Sequence, residues 1–467
     1  MVWTVDHIIF FGFLIFNVIL GLKSSKGITS ITQYAIGDRN FSTGALVATI
    51  VATWIGGGFF SSVITETYTN GLSFIFISLA DYIGCFLVIG YFFIPRMGQF
   101  LGKLSIAEAM GELYGNKVRL ITAISGIIGV CGIIAIQFKV AGLVFEYLLN
   151  ISKFQGIFLI GAVVILYSTM GGIKSVTFTD MIQFLTFGSI IPIMTYYFFN
   201  NLPDSYNSVV NALSNQPKYN IGNIFDISKA GFWNNLSLFF ICLIPGFNSA
   251  VFQRISMAKS IDQAKRSFVI SAQICFVIFL ILIWLVLVIQ AKAPNIPADD
   301  VIKILIFDQL IPVYKGLMLV GVIAMTMSTA DSYINSSSIL FSHDFLGSLS
   351  IKVKNELLAA RITSLIIGTS ALLLSLKDTT IFKLIIFTIG FYMPIVTVPF
   401  IMAIFGYRTP YEKAVLYGMG AGLAVVLLWS YLDITVIDNI VPAMAANWLV
   451  LVVMHKYYYS KEKSVVN

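Results

Sequence analysis

Val51-Ala-Thr-Trp-Ile-Gly-Gly-Gly-Phe-Phe60 and Leu243-Ile-Pro-Gly-Phe-Asn-Ser-Ala-Val-Phe252 each interrupt an apolar segment of membrane-spanning length near its middle. Three successive glycines, or a proline followed by a glycine, disfavour a continuous helix. In a bilayer, unwound backbone is tolerated only where it is buried in protein or lines an aqueous cavity. Two such breaks at matching places in two halves of a chain are typical of transporters with a binding site near the middle of the membrane.

The composition places the chain among helical membrane proteins. Of its 467 residues, 58% are hydrophobic and only 11% are charged. Apolar runs of about 18 residues or more recur from end to end and predict an all-α polytopic protein, with one transmembrane domain over residues 1–467. The net charge of +7 requires no nucleic-acid partner, because basic residues collect in the cytoplasmic loops of membrane proteins.

Hydropathy predicts thirteen transmembrane helices. Their limits are 3–22, 43–66, 71–95, 118–149, 153–171, 175–199, 232–257, 264–291, 313–346, 357–376, 380–406, 412–432 and 439–458. Most of the 29 Lys and Arg residues, Arg254 among them, then fall on one side of the membrane. This asymmetry predicts an integral plasma membrane protein with its N-terminus outside and its C-terminus in the cytoplasm.

The two broken spans are the second and the seventh, and this spacing predicts two repeats. Spans two to six (43–199) and seven to eleven (232–406) each contain five helices. Because five is odd, the second repeat would be inserted upside down relative to the first, as in many secondary transporters. The span 3–22 is then an extra N-terminal helix, and 412–458 holds two C-terminal helices.

Polar residues in the ninth span form a candidate cation site. Ser328, Asp331, Ser332 and Asn335 recur at helical spacing and share one face, with Thr329 about 100° away. Hydroxyl and carboxylate oxygens suit a hard cation such as Na+. The alternative is that Ser and Thr pack helices closely and bond back to their own carbonyls. An aspartate in the membrane is costly, so a functional role is favoured for Asp331.

Other polar and aromatic residues lie near the predicted midplane. Lys139 and Gln137 are central in the fourth span and Asp81 in the third. A lysine at that depth is expected to pair with Asp81, contact an anionic group of a solute, or brace the helices. Trp54 and Tyr82 offer either core packing or a rigid face on which a solute can stack.

Several stretches resemble the sodium:solute symporter family. They include Ala52-Thr-Trp-Ile-Gly-Gly-Gly58, the long run Tyr167-Ser-Thr-Met-Gly-Gly-Ile-Lys-Ser-Val-Thr-Phe-Thr-Asp-Met-Ile-Gln183, Phe252-Gln-Arg254 and Met327-Ser-Thr-Ala-Asp-Ser332. The resemblance covers about residues 1–455. It implies the leucine-transporter fold with a five-plus-five inverted repeat, in agreement with the spacing of the breaks.

The resemblance also implies ion sites. The family's main sodium site falls on Ala52, Ile55, Met325, Ser328 and Thr329, through backbone carbonyls of the first three and the two hydroxyls. Some members bind a second sodium ion, and the matching positions are Asp180, Ser328, Asp331 and Ser332. Asp331 stands where other members often have a hydroxyl, and this difference leaves two alternatives open: a stronger second sodium site, or a site for a different ion. From its position alone, Asp180 can also be an interfacial, solvated carboxylate.

The motifs are most similar to the choline-transporting branch, whose aromatic cage holds a quaternary ammonium by cation–π contact. Trp54 and Tyr82 match two cage positions, but Asn248 stands where a tryptophan is expected and the region around Ile386 also lacks one. With Lys139 nearby, an amino acid or another small carboxylate is favoured over choline. The predicted substrate-binding residues are Trp54, Gly56, Asp81, Tyr82, Gln137, Lys139, Phe247 and Asn248.

The sequence therefore predicts a sodium-coupled symporter of a small polar solute that works by alternating access in the lipid bilayer, for which a monomer suffices. Two alternatives remain: a membrane sensor that binds solute without accumulating it, and a transporter coupled to protons through Asp331 or Asp180. No enzyme is predicted, because His7, His343 and His455 lie far apart in the sequence and near membrane edges.

Overall fold

The computed structural model describes residues 4–202, 204–228, 230–297, 300–303, 310–351, 353–377, 379–432 and 438–466. In these ranges the regular secondary structure is helical, with no β-strand. The α-helices are α1 (Val5–Ser24), α2 (Ile31–Ile36), α3 (Thr43–Trp54), α4 (Gly57–Asn70), α5 (Leu72–Tyr82), α6 (Ile106–Tyr114), α7 (Asn116–Leu149), α8 (Lys153–Gly171), α9 (Ile173–Asn200), α10 (Ser205–Ser214), α11 (Ile221–Ile224), α12 (Ala230–Leu243), α13 (Ser249–Ser256), α14 (Ile261–Lys292), α15 (Val301–Lys303), α16 (Tyr314–Ile339), α17 (Leu346–Ser348), α18 (Glu356–Ser375), α19 (Ile381–Tyr392), α20 (Val398–Ile404), α21 (Glu412–Tyr431) and α22 (Ile440–Val466).

Eleven helical segments of the described chain are long and apolar enough to cross a membrane, or twelve if the bent pair α3 and α4 is one span. The predicted seventh span corresponds to α12 and α13, of 14 and 8 residues, with an irregular segment between them. These two helices are too short to satisfy the same length criterion separately. The count of thirteen spans and the inverted repeat therefore stay predictions, whereas the all-helical polytopic class is confirmed.

Helix α16 forms the centre of the molecule. It packs against α7, α9 and α3, and α14 closes the group by packing on α3 and α9. In the most apolar window of the helical segment Tyr314–Ser348, 94% of the residues are buried inside the protein. This burial explains why the sequence of α16 is rich in small and hydroxyl residues, which let neighbouring helices approach closely. Helices α21 and α22 pack on each other at the periphery.

The N-terminal helix is tied to the start of α16. Asp6 Oδ1 accepts hydrogen bonds from the backbone N–H groups of Val313 (2.8 Å) and Gly316 (2.9 Å). These N–H groups have no partner within α16, so a carboxylate from α1 satisfies them and complements the helix dipole. His7 Nε2 lies 3.0 Å from the carbonyl oxygen of Leu148, which links α1 to the end of α7 as well.

Within the described ranges, three helices are continued by a π-helical stretch. Ile83–Phe93 continues α5, Leu340–Phe345 continues α16 and Met393–Thr397 follows α19. Such wider turns are rare in proteins and occur frequently near functional sites. Each of these three helices borders the cavity described below.

Candidate functional site

The first break separates α3 from α4 and bends the chain by 51°. Ile55 (φ −81°, ψ 68°) and Gly56 (φ −86°, ψ 171°) leave the helical region. Glycine is needed here for close packing against α16. A Cβ atom on Gly56 would lie 2.4 Å from Thr329 Oγ1, and one on Gly57 would lie 2.2 Å from Thr326 Cγ2. The Gly-rich stretch therefore both ends α3 and lets α4 begin in contact with α16.

Oxygen atoms from α3 and α16 meet at this break. Ser328 Oγ donates to the carbonyl oxygens of Ala52 (2.8 Å) and Met325 (3.0 Å). Thr329 Oγ1 lies 3.4 Å from the carbonyl of Ala52 and 3.2 Å from that of Met325. All four residues are buried, and so is Ile55 at the break itself. Neutral oxygen atoms gathered in this way fit a hard monovalent cation such as Na+.

A second polar cluster lies between α3, α9, α13 and α16. Asp180 Oδ2 accepts a hydrogen bond from Thr49 Oγ1 (2.5 Å) and lies 3.6 Å from Arg254 Nη2. The same Nη2 donates to Ser332 Oγ (2.5 Å) and Thr53 Oγ1 (3.0 Å). All five residues are buried. Arg254, which was counted with the basic residues of the cytoplasmic side, is held in the protein interior by a buried carboxylate and two hydroxyls.

Asp331 belongs to the same region of the protein. Its Oδ2 accepts hydrogen bonds from Tyr167 OH (2.9 Å) and Thr179 Oγ1 (3.4 Å). The Oδ1 atoms of Asp331 and Asp180 have no hydrogen-bond partner among the described residues. One guanidinium facing two carboxylates leaves a net negative charge when both are ionised, which is unfavourable in a dry interior. A bound cation or a proton would reduce that cost.

The second break joins α12 to α13. Asn248 caps the start of α13, because its Oδ1 accepts a hydrogen bond from the backbone N–H of Val251 (3.0 Å). Its Nδ2 donates to the hydroxyl of Tyr333 on α16 (3.0 Å). The side chain of Asn248 therefore caps the half-helix and connects it to the central helix at the same time.

A cavity of about 300 Å³ lies between the two breaks. The predicted substrate-binding residues that line it are Trp54, Gly56, Asp81, Gln137 and Asn248. Thr329 also lines the cavity, so the oxygen cluster of the first break borders the space where a solute would fit. The Asp81 side chain interacts with the side chains of Trp54 and Cys85, which line the cavity as well.

Three predicted substrate-binding residues lie elsewhere. Tyr82 lines a smaller neighbouring cavity and packs on Phe276, with ring centroids 4.6 Å apart. Phe247 is fully buried between Phe93 and Phe400, at centroid distances of 5.1 and 5.2 Å. The main cavity therefore brings together only part of the predicted set, and the smaller cavity, which Tyr82 lines, shares Trp54 and Asp81 with it.

Lys139 is the third of these residues. Its Nζ donates to the backbone carbonyls of Lys377 (2.6 Å) and Thr379 (2.5 Å), in the loop that follows α18. Among the three roles considered from the sequence, this geometry matches a brace between helices. Lys139 is not among the described residues that line the main cavity.

Sequence reasoning did not single out Arg254, Thr49, Thr53 or Tyr167 as site residues. Arg254 is three residues from the predicted end of the seventh span, where a basic residue is usually interfacial and solvated. The available signal was its position in the last turn of α13, the short helix that follows the Pro-Gly break and has to be held by side chains. Tyr167 was visible only as the first residue of the motif that ends at Gln183.

Comparison with known proteins adds a family and a fold. A family model described as the sodium:solute symporter family matches residues 34–422. The high affinity choline transporter 1 of Homo sapiens is 25% identical over 370 residues, which cover 75% of this chain and 62% of that protein. The sodium/sialic acid symporter NanT of Aliivibrio fischeri is 23% identical over 373 residues, covering 76% and 72%. The matched region is thus less than two thirds of the human protein's length.

Solved structures agree on the fold. A Na+-coupled sialic acid symporter in a substrate-bound outward-open state superposes with a TM-score of 0.84 at 19% identity, over 97% of this chain and 98% of that one. MhsT in complex with L-phenylalanine superposes with a TM-score of 0.57 at 15% identity, over 88% and 98%. At these identities the likeness establishes the architecture, which is that of leucine-transporter-like proteins.

Proposed function

Because this chain belongs to the sodium:solute symporter family, we propose that it imports a small polar organic solute together with Na+ by alternating access. The family consists of transporters and not of enzymes. The observation that carries the proposal is the position of Thr329, whose hydroxyl joins the oxygen cluster at the first break and also lines the cavity. Ion and solute would therefore bind to two sides of the same unwound segment.

In this proposal Na+ binds the carbonyl oxygens of Ala52, Ile55 and Met325 and the hydroxyls of Ser328 and Thr329. The ion would hold the end of α3 against α16 and thereby fix the wall of the cavity at Gly56. Coupling follows because both ligands bias one conformational equilibrium, so each raises the affinity for the other. The membrane potential contributes about 2.3 kcal/mol per charge per 100 mV, which is enough to accumulate a solute strongly.

We also propose a second ion position at Asp180, Asp331 and Ser332. Its support is the unpartnered Oδ1 atom on each carboxylate and the excess negative charge beside Arg254. The same atoms favour one alternative, in which Asp331 or Asp180 carries a proton and the transporter is coupled to pH. Transport that persists without Na+ and follows the proton gradient would identify that alternative.

The support for a carboxylate-bearing solute is weaker than the sequence alone suggested. The preference for a carboxylate depended on Lys139, which contacts the loop after α18 and not the cavity. An amino acid remains a candidate because it also carries an ammonium group. We retain the proposal of an N-terminus outside and a C-terminus in the cytoplasm for this integral membrane protein.

The sodium site is tested by the thermal stability of the purified protein in NaCl and in KCl at equal ionic strength. We expect stabilisation by Na+, and we expect Ser328→Ala to raise the half-maximal Na+ concentration by about tenfold, because one ligand is lost. Ser338→Ala is the matched control, since its hydroxyl bonds only to the Asn335 carbonyl of its own helix among the contacts described (2.7 Å). An unchanged Na+ dependence in Ser328→Ala would refute the assignment.

Uptake into proteoliposomes separates the functional classes. Choline, sialic acid, pantothenate and a set of amino acids would be offered with and without an inward Na+ gradient. A symporter accumulates its solute only with the gradient, whereas a sensor binds a solute and accumulates none. Absence of Na+-driven accumulation, despite solute binding, would refute the proposed transport.

A further inference from the structure

We propose that the transported solute carries a protonated amine, which binds the carboxylate of Asp81, and an apolar body, which packs against the cavity wall. This inference rests on the proposed function, since it takes the cavity between the two breaks as the solute site. Beyond the proposed function, it assigns a positive charge to the solute and identifies the carboxylate of Asp81 as the group that binds it.

The charge of the cavity comes from one residue of its lining. Among the described residues that line it, Asp81 is the one ionisable acid or base other than thiols and phenols. The remaining wall consists of aliphatic and aromatic side chains, such as Ile133, Ile385 and Trp54, and of neutral amides and hydroxyls. A cavity with this lining has a negative potential and repels an anion, because field lines are focused where the walls have a low dielectric constant.

Two cationic residues of the interior, Arg254 and Lys139, are engaged with partners other than Asp81. Arg254 forms its ion pair with Asp180 in the other polar cluster, and Lys139 binds backbone carbonyls beyond α18. The interactions described for the Asp81 carboxylate are with the Trp54 and Cys85 side chains, which are neutral. No ion pair of Asp81 is present among the described residues, and a carboxylate at membrane depth in that state is costly, so a cationic ligand gains from binding there.

An amine with N–H groups and a quaternary ammonium require different surroundings in a binding site. A quaternary ammonium has no N–H and depends on several aromatic faces around it. Here Tyr82 lines the smaller cavity, which Trp54 and Asp81 also border, but its ring packs on Phe276 with centroids 4.6 Å apart. Trp54 packs on Phe86 with ring centroids 4.5 Å apart, so both rings already contact another aromatic side chain. Carboxylate oxygens accept charge-assisted hydrogen bonds from an ammonium N–H, which are about twice as strong as neutral ones. The geometry therefore favours a primary or secondary amine.

Asp81 also connects the solute to the first break. Its partner Trp54 is the last residue of α3, directly before the non-helical Ile55. An amine at Asp81 would fix the position of Trp54, and Na+ would fix the same turn from the other side through Ala52. The amine would thus bind to the element whose conformation the ion controls.

The native cysteines provide a test that needs no knowledge of the solute. Cys242 lines the cavity, and it becomes the only cysteine when Cys85, Cys131 and Cys275 are changed to Ser. In KCl, 2-aminoethyl methanethiosulfonate (cationic) and 2-sulfonatoethyl methanethiosulfonate (anionic) would be reacted with this thiol. Each rate is divided by the rate with free 2-mercaptoethanol, which removes the intrinsic difference between the reagents.

We expect the normalised rate to be about tenfold or more higher for the cationic reagent, since the potential near Asp81 attracts it. Adding Asp81→Asn should bring the ratio close to one, because the amide keeps the shape and loses the charge. A ratio near one in the variant that has Cys242 as its single cysteine and retains Asp81 would overturn the proposal. So would a ratio that Asp81→Asn leaves unchanged.

Ligand binding tests the amine itself. The probes are 2-phenylethylamine, its trimethylammonium analogue, 2-phenylethanol and 3-phenylpropanoate, measured by isothermal titration with the wild-type protein. We expect the amine to bind about tenfold or more tightly than the alcohol and the anion, and Asp81→Asn to remove that advantage. Tighter binding of the trimethylammonium analogue would show an aromatic site and overturn the hydrogen-bonded amine; tighter binding of the anion would overturn the charge assignment.

The Na+ titration keeps the two proposals separate. Asp81 is not among the proposed sodium ligands, so stabilisation by Na+ should persist in Asp81→Asn while amine binding is lost. If Na+ stabilises neither protein but the amine preference is present, the sodium coupling fails and the recognition of the amine stands. If Na+ stabilises both and the amine preference is absent, only the inference about Asp81 fails.

Discussion

At the first break, between α3 and α4, glycines let neighbouring helices approach so closely that a Cβ on Gly57 would lie 2.2 Å from Thr326 Cγ2. At the second break, between α12 and α13, a Cβ on Gly246 would lie 4.0 Å from its nearest neighbour, Cys85 Sγ. The first break is therefore stabilised by close packing of its glycine backbone against α16. The second is held by polar side chains on α13, chiefly Asn248 and Arg254.

This difference indicates different roles for the two breaks in the binding of ion and solute. Backbone carbonyls at the first break form a cluster with hydroxyls of α16 and contribute little chemistry of their own to select a solute. The second break contributes side chains to the cavity and to the Arg254 cluster, so a substitution there changes what is recognised without rebuilding the packing. Close backbone packing at the first break restricts the geometry of that segment. At the second break, hydrogen bonds from side chains hold the segment, so its residues can vary with the solute that is recognised.

The largest expected effect is at Arg254. In Arg254→Met the Asp180 carboxylate stays buried and loses its cation, which we expect to lower the free energy of unfolding by about 3–5 kcal/mol. Stability would be measured by unfolding in detergent. Arg254→Met combined with Asp180→Asn should recover most of the loss, since a neutral pair leaves no buried charge. If the double variant is as unstable as the single one, the bonds of Arg254 to Thr53 and Ser332 hold α13, and the ion pair does not.

The next effect compares equivalent glycine substitutions at the two breaks. Gly57→Ala forces a methyl group into the side chain of Thr326, and overpacking of this kind costs about 1–3 kcal/mol. Gly246→Ala meets only ordinary van der Waals contact and should change stability by less than about 0.5 kcal/mol. The two variants would be compared by thermal unfolding and by Na+ titration. Equal losses at both positions would show that the second break is packed as tightly as the first.

The sequence predicted the breaks and the oxygen cluster because local features determine both. Three glycines or a Pro-Gly pair disrupt a helix wherever they occur, and Ala52, Ser328 and Thr329 match a family motif residue by residue. The partners of Asp331 were not accessible in this way. The helical spacing of α16 indicates the face on which Asp331 lies, but Tyr167 and Thr179 approach it from α8 and α9. Only the tertiary arrangement places them there.

Lys139 and Arg254 show the same limit for charged residues. Hydropathy placed Lys139 at the midplane, yet its long side chain reaches the loop after α18, as aliphatic stems with a charged end often do. Arg254 shows the reverse case, because it lies near the end of a predicted span and is nevertheless buried. The depth of an α-carbon along a helix does not determine where a long cationic side chain ends.

The smallest expected effect is at Asn248, where one side chain makes two contacts. Asn248→Ala removes the cap of α13 and the bond to Tyr333, and loss of an N-cap costs about 1 kcal/mol. Asn248→Ser keeps a capping oxygen and is too short to reach Tyr333, so it should retain most of the stability while it alters the cavity wall. Unfolding in detergent measures the first effect, and titration with 2-phenylethylamine measures the second. If Asn248→Ser is as unstable as Asn248→Ala, the hydrogen bond to Tyr333 on α16 stabilises the second break and the cap is secondary. If Asn248→Ser is stable and binds the amine with altered affinity, the second break affects solute recognition independently of folding.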